Sequence, residues 1–142
     1  MPLPSDLYFF RASEFRHPDL VNEEAAHFLD EVRAAYQNPM VVTDDARTLA
    51  EQAARENAVQ GGATGAVLPQ LHVLGRAFDI RWPATSALLF RLVEAICHMA
   101  EDARYEGRVE LELDATTGNQ HIHFGLRPDR TWDSTLLIRK AA

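Results

Sequence analysis

Val109-Glu110-Leu111-Glu112-Leu113-Asp114 and His121-Ile122-His123-Phe124-Gly125-Leu126 both alternate apolar with other residues, the period of a strand buried on one face. The segment between them, Ala115-Thr116-Thr117-Gly118-Asn119-Gln120, contains Gly118-Asn119, a two-residue hairpin turn signal. With that turn Thr117 pairs with Gln120, and the register continues as Thr116 with His121, Asp114 with His123 and Glu112 with Gly125. Residues directly opposite one another lie about 5 Å apart on the same face. One face then carries Glu110, Glu112, Asp114, His121 and His123, and the other carries Leu111, Leu113, Ile122, Phe124 and Leu126. A slip of one residue would mix the two sets, so their clean separation supports the hairpin.

Upstream, Arg76-Ala77-Phe78-Asp79-Ile80 reads as a core strand closed by Trp82-Pro83. Leu88, Leu89, Leu92, Val93, Ile96 and Met99 mark an amphipathic helix over Thr85 to Ala103, with Thr85 or Ser86 as its cap. Val21, Ala25, Phe28, Leu29, Val32 and Tyr36 predict an earlier helix over roughly 22–36, ended by Asn38-Pro39. Pro39 to Thr43 is a short β-rich run, and Thr48 to Ala58 has helix-forming composition. Gly61-Gly62-Ala63-Thr64-Gly65 is a loop without the Lys-Ser/Thr pair of a phosphate cradle. This order implies an α+β fold, a small antiparallel sheet with helices packed on one side. A chain of 142 residues suits a single domain spanning 1–142.

The net charge of -7 argues against a general nucleic-acid surface, which needs clustered Lys and Arg. No apolar stretch is long enough for membrane insertion, and Met1 to Asp6 lacks the basic-then-apolar pattern of a signal peptide. A soluble monomer, cytoplasmic as synthesised, is expected. The single cysteine, Cys97, lies in an apolar run and is expected to be a buried, inert thiol. His17, His27 and His98 read as turn, packing or surface residues.

Imidazoles and carboxylates gathered on one sheet face are costly to bury without a role, and a divalent metal relieves that cost. Without a cysteine pair, a metal site here must use histidine and carboxylate, as zinc sites can. The hairpin supplies one or two histidines, and Leu71-His72-Val73-Leu74-Gly75-Arg76-Ala77-Phe78-Asp79-Ile80 supplies further candidates in His72 and Asp79. Gly75 between them allows a tight backbone turn. By spacing alone this is a weak signal.

The string His72-x-x-Gly75-x-Ala77-x-Asp79, followed by His121-x-His123, resembles the zinc D-Ala-D-Ala carboxypeptidases and related peptidoglycan metallopeptidases, including phage endolysin domains and the metal site of hedgehog domains. The likeness extends over about residues 11–132, through Glu14-Phe15, Leu29 to Arg33, Val41 to Arg47 and the run from His121 to Trp132. The resemblance implies zinc held by His72, Asp79 and one histidine of the His-x-His triplet. His123 is the first choice, with His121 the ligand under an alignment to members ending in His-x-Asp. It implies hydrolysis of peptidoglycan stem peptides, as a carboxypeptidase or endopeptidase acting next to a D-amino acid, and a phage-encoded origin would fit such a role. Arg47 matches the family arginine that meets a substrate carboxylate, and Gln70 stands where the family has a serine before its first metal histidine. Many active members carry Asp or Glu three residues before the second metal histidine, where this chain has Gln120. Hedgehog-like members bring the acid from the preceding strand, which implies Asp114 or Glu112 as base, Asp114 first because the expected register sets it opposite His123. His121, when not a ligand, is the candidate donor to the oxyanion. The alternative is a zinc-binding structural or binding module, for example of a phage particle, that has lost catalysis.

Overall fold

The computed structural model describes residues 6–46, 48, 50–51, 71–72, 74–130 and 136–139. The expected helix from Thr48 to Ala58 falls mostly outside these residues, and the glycine loop 61–65, Arg47 and Gln70 fall wholly outside them. After two short 3-10 turns, Ala12–Glu14 and Pro18–Leu20, the elements are α1 (Glu23–Tyr36), β1 (Val42–Asp44), β2 (Ala77–Arg81), α2 (Ser86–Ala100), β3 (Val109–Asp114), β4 (His121–Leu126) and β5 (Leu136–Arg139).

Local chemistry accounts for the helix ends. The Asn22 side chain accepts a hydrogen bond from the Ala25 amide at 3.0 Å and caps α1, whose first turn carries Glu23 and Glu24. Gln37 closes α1 in the left-handed conformation at φ 61°. Thr85 caps α2 by accepting from the Leu88 amide at 3.1 Å. That helix ends at Ala100, and a run of turns leads from it to β3. Its core side is Leu92, Ala95 and Ile96, so Cys97 lies off that stripe and is exposed, correcting the expectation of a buried thiol.

The sheet order is β1-β2-β4-β3-β5, antiparallel at every pairing except that of β5 with β3, which is parallel. The helices cover the sheet face that bears Phe78, Ile80, Leu111, Ile122, Phe124 and Leu126, all buried. Phe28 of α1 meets Phe124 edge-on at 6.0 Å between centroids, and Phe124 meets Phe78 at 6.2 Å. The α+β architecture with helices on one side is as the sequence implies, with β5 added at the edge. No helix among the described residues is long and apolar enough to cross a membrane.

The hairpin register is a correction. Glu112, not Asp114, stands opposite His123; Asp114 stands opposite His121, and Glu110 opposite Gly125. The tight turn spans Thr116 to Asn119, closed by the Asn119 amide donating to the Thr116 carbonyl at 2.9 Å, with Gly118 at φ 82°. The Asp114 carboxylate accepts from the Thr116 amide at 2.9 Å, a local turn that ends β3 at Asp114, so the expected pairing of Thr116 and Thr117 does not form. The slip is two residues. An even slip leaves every side chain on its face, so alternation cannot detect it.

Two glycines hold the site-bearing backbone. Gly75 has φ +70°, and its carbonyl accepts from the Asn22 amide at 2.8 Å, tying the His72 turn to the start of α1. A Cβ at Gly125 would come within 2.6 Å of the Arg76 carbonyl oxygen, so only glycine permits the observed approach of β4 to β2.

Candidate metal centre

Asp79 of β2 and His123 of β4 are register partners on the sheet face opposite the helices. His72 reaches the same point from the turn before β2, where the Gly75 amide donates to the His72 carbonyl at 3.1 Å. His72 Nε2 lies 3.2 Å from Asp79 Oδ1 and 3.2 Å from His123 Nδ1, and His123 Nδ1 lies 3.1 Å from Asp79 Oδ1. The three groups form a nearly equilateral triangle that could hold a metal ion. Zinc bonds of about 2.0–2.1 Å in a tetrahedral shell imply ligand–ligand edges of roughly 3.3 Å, close to this triangle.

The outer nitrogen of each ring identifies what the inner one offers. His72 Nδ1 faces the Asp45 carbonyl oxygen at 2.6 Å, which can only accept, so this nitrogen carries the hydrogen and Nε2 turns a lone pair inward. His123 Nε2 faces Glu110 Oε1 at 2.7 Å and can donate to it, which leaves Nδ1 free to turn a lone pair inward once the proton it shares with Asp79 is displaced. Two lone pairs and a carboxylate oxygen thus converge without a donor of their own, an arrangement suited to a cation. When no metal is bound, a proton must serve. Burial works against a charged His123, but hydrogen bonds to Asp79 and Glu110 outweigh it and push its pKa up to about 9. Burial likewise opposes charge on Asp79, yet bonds from His123 and His72 hold its carboxyl well below the usual range.

Support comes from behind. Asp45 is fully buried, and its carboxylate accepts from the backbone amides of Arg16 at 2.6 Å and His17 at 3.2 Å, clamping the segment whose carbonyl meets His72. Burial raises the Asp45 carboxyl, against those two amide bonds. The Thr43 hydroxyl donates to the Asp79 carbonyl at 3.2 Å and fixes the adjoining strand.

An open polar cleft of about 400 Å³ lies beside Asp79, lined by Thr43, Asp44, Gly118, Asn119, Gln120 and His121. His121 does not join the triangle; its Nδ1 donates to the Asn119 carbonyl at 2.8 Å, so its other nitrogen can donate only when the ring is charged. Glu112 and Asp114 share the site face of β3. Glu110 lies on the same face, as the alternation implies, and contacts His123 there. Burial opposes its charge, but the bond from His123 and the nearby Arg127 guanidinium hold its carboxyl below the ordinary value. Its place beside His123 depends on the two-residue slip and had no signal in the alternation.

No family profile and no curated protein sequence matches this chain. Among solved structures, the fold is similar to that of the L-Ala D-Glu endopeptidase ChiX of Serratia marcescens, with a TM-score of 0.56 over 84% of this chain and 88% of that one, at 19% identity. At that identity the likeness establishes a shared fold.

Proposed function

We propose that this chain is a zinc-dependent peptidase that hydrolyses peptide bonds of peptidoglycan stem peptides next to a D-amino acid, as a carboxypeptidase or endopeptidase. The observation that carries the reading is the triangle of His72, Asp79 and His123, with the outer nitrogen of each ring facing an acceptor oxygen. The shared fold with an endopeptidase for an L-Ala D-Glu bond supports the substrate class, because that bond joins an L- to a D-residue. When bound, zinc supplies Lewis-acid polarisation of a carbonyl and an acidified water.

The chain's own residues divide the remaining work. The cleft beside Asp79 offers a polar trough in which an extended peptide can lie past Thr43 and the 118–121 turn. With the register corrected, Glu112 takes the place opposite His123 that favoured Asp114, and it becomes the first candidate to accept the water proton, with Asp114 second. His121, in the cleft wall, is the candidate donor to the developing oxyanion. Arg47 as the contact to a substrate carboxylate, and Gln70 as a substrate-binding residue, are proposed on the resemblance alone.

A second reading, a zinc-binding module without catalysis, is favoured by Gln120. Its neutral amide lines the cleft where the family carries an acid. Incubating the zinc-loaded protein with purified stem peptides and following the products by mass spectrometry separates the two. The peptidase reading expects cleavage that a chelator stops and added zinc restores. Intact peptides in the presence of protein with zinc bound would leave the binding module.

A further inference from the structure

We infer that Glu110 is a positioning residue, selecting the His123 tautomer that presents Nδ1 to the metal and thereby setting how tightly the site holds a divalent cation. This rests on the metal reading above. Glu110 meets the ring nitrogen remote from His72 and Asp79, so it supports the ligand set without belonging to it. A carboxylate has only acceptors and therefore accepts only an Nε2–H; an amide could donate instead and stabilise the ring with the hydrogen on Nδ1, where it blocks the metal.

Arg127 explains why the carboxylate stays in place. Its side chain is 2% exposed, its Nη2 lies 3.5 Å from Glu110 Oε2, and its Nη1 has no hydrogen-bond partner among the described residues. The Arg127 backbone is anchored at both ends, its amide donating to the Arg108 carbonyl at 2.7 Å and its carbonyl accepting from Arg108 Nε at 3.0 Å. A buried guanidinium so sparsely bonded is costly, and behind a cation site it would also repel the ion. Glu110 stands between the two, turning one oxygen to each, so the line Arg127, Glu110, His123 alternates in charge as it approaches the metal.

Two variants test this by their ranking. Glu110→Gln keeps the size and loses the acceptor-only character, and should weaken zinc binding by roughly ten- to a hundredfold in competition with a chromophoric chelator. Glu110→Asp is shorter yet keeps that character, and should lose less. In the zinc-loaded unmutated protein, long-range proton–nitrogen spectra should find the His123 hydrogen on Nε2, and in Glu110→Gln this signal should weaken through exchange. Zinc affinity within twofold of the unmutated protein in Glu110→Gln, or a larger loss in Glu110→Asp, would overturn the inference and leave the metal reading standing. Absence of zinc from the unmutated protein after reconstitution would overturn both, and no variant is needed to see it.

Discussion

Replacing Gly125 with alanine should loosen the metal centre without touching a ligand. The added Cβ would sit 2.6 Å from the Arg76 carbonyl oxygen and 3.0 Å from the Ala77 Cα, so β2 and β4 must separate until that first distance reaches ordinary contact near 3.4 Å, a widening of about 0.8 Å. Overpacking of this kind costs about 1–3 kcal/mol. In a chain of this length that is a fall in Tm of about 2–4 °C for each kcal/mol. Asp79 and His123 are register partners two residues along the same strand pair, and their ligand atoms lie 3.1 Å apart. Metal–ligand distances tolerate only about 0.2 Å of error, so even a quarter of the widening transmitted to the site is felt. The expected result is a lower Tm of the metal-free protein by thermal unfolding and a zinc dissociation constant raised roughly tenfold by chelator competition. A variant with unchanged Tm and unchanged zinc affinity would refute the argument that this close approach fixes the site.

The metal-free centre should titrate. Because His123 is pushed up to about 9, zinc displaces a proton below that pH, and apparent affinity should fall about tenfold per unit as pH drops from 9 towards 6.5; a constant affinity from pH 7 to 8.5 would contradict this. The same shift lies above the ordinary 6.5, so its contribution to metal-free stability is complete below about 6.5 and is lost as pH rises through about 9. Melting curves should therefore show metal-free Tm falling across that window, with zinc restoring it. Glu112→Gln should slow stem-peptide hydrolysis by roughly a hundredfold or more with zinc retained, and Asp114→Asn by less; the reverse order would return the base to Asp114. Gln120→Glu should raise hydrolysis if the cleft wall can present an acid there, and no change in rate would place proton transfer on β3.

Much of this architecture could be read from alternation and helical period, because burial on one face imposes them. The face bearing Glu110, Glu112, His121 and His123 emerged correctly for that reason, as did the two helices and the strand carrying Asp79. The register did not, since an Asp114 side chain capping the turn shifts pairing by two residues and leaves every face unchanged. Glu110 was missed as a consequence, and it is the carboxylate that meets the outer nitrogen of His123. β5 escaped because Leu136 to Arg139 is too short to show a period and pairs with β3 in parallel, a partner the local sequence does not indicate. The approach of His72 to His123 spans 51 residues of chain and is settled by tertiary closure; only the resemblance pointed to it.

The most direct test of the account is the zinc content and coordination of the reconstituted protein, by elemental analysis and X-ray absorption. About one zinc per chain is expected, with two imidazoles and one carboxylate among its ligands, lost in His72→Ala, Asp79→Ala and His123→Ala and kept in His121→Ala. A protein that takes up no zinc, or one that keeps it in His123→Ala and loses it in His121→Ala, would contradict the account at its centre.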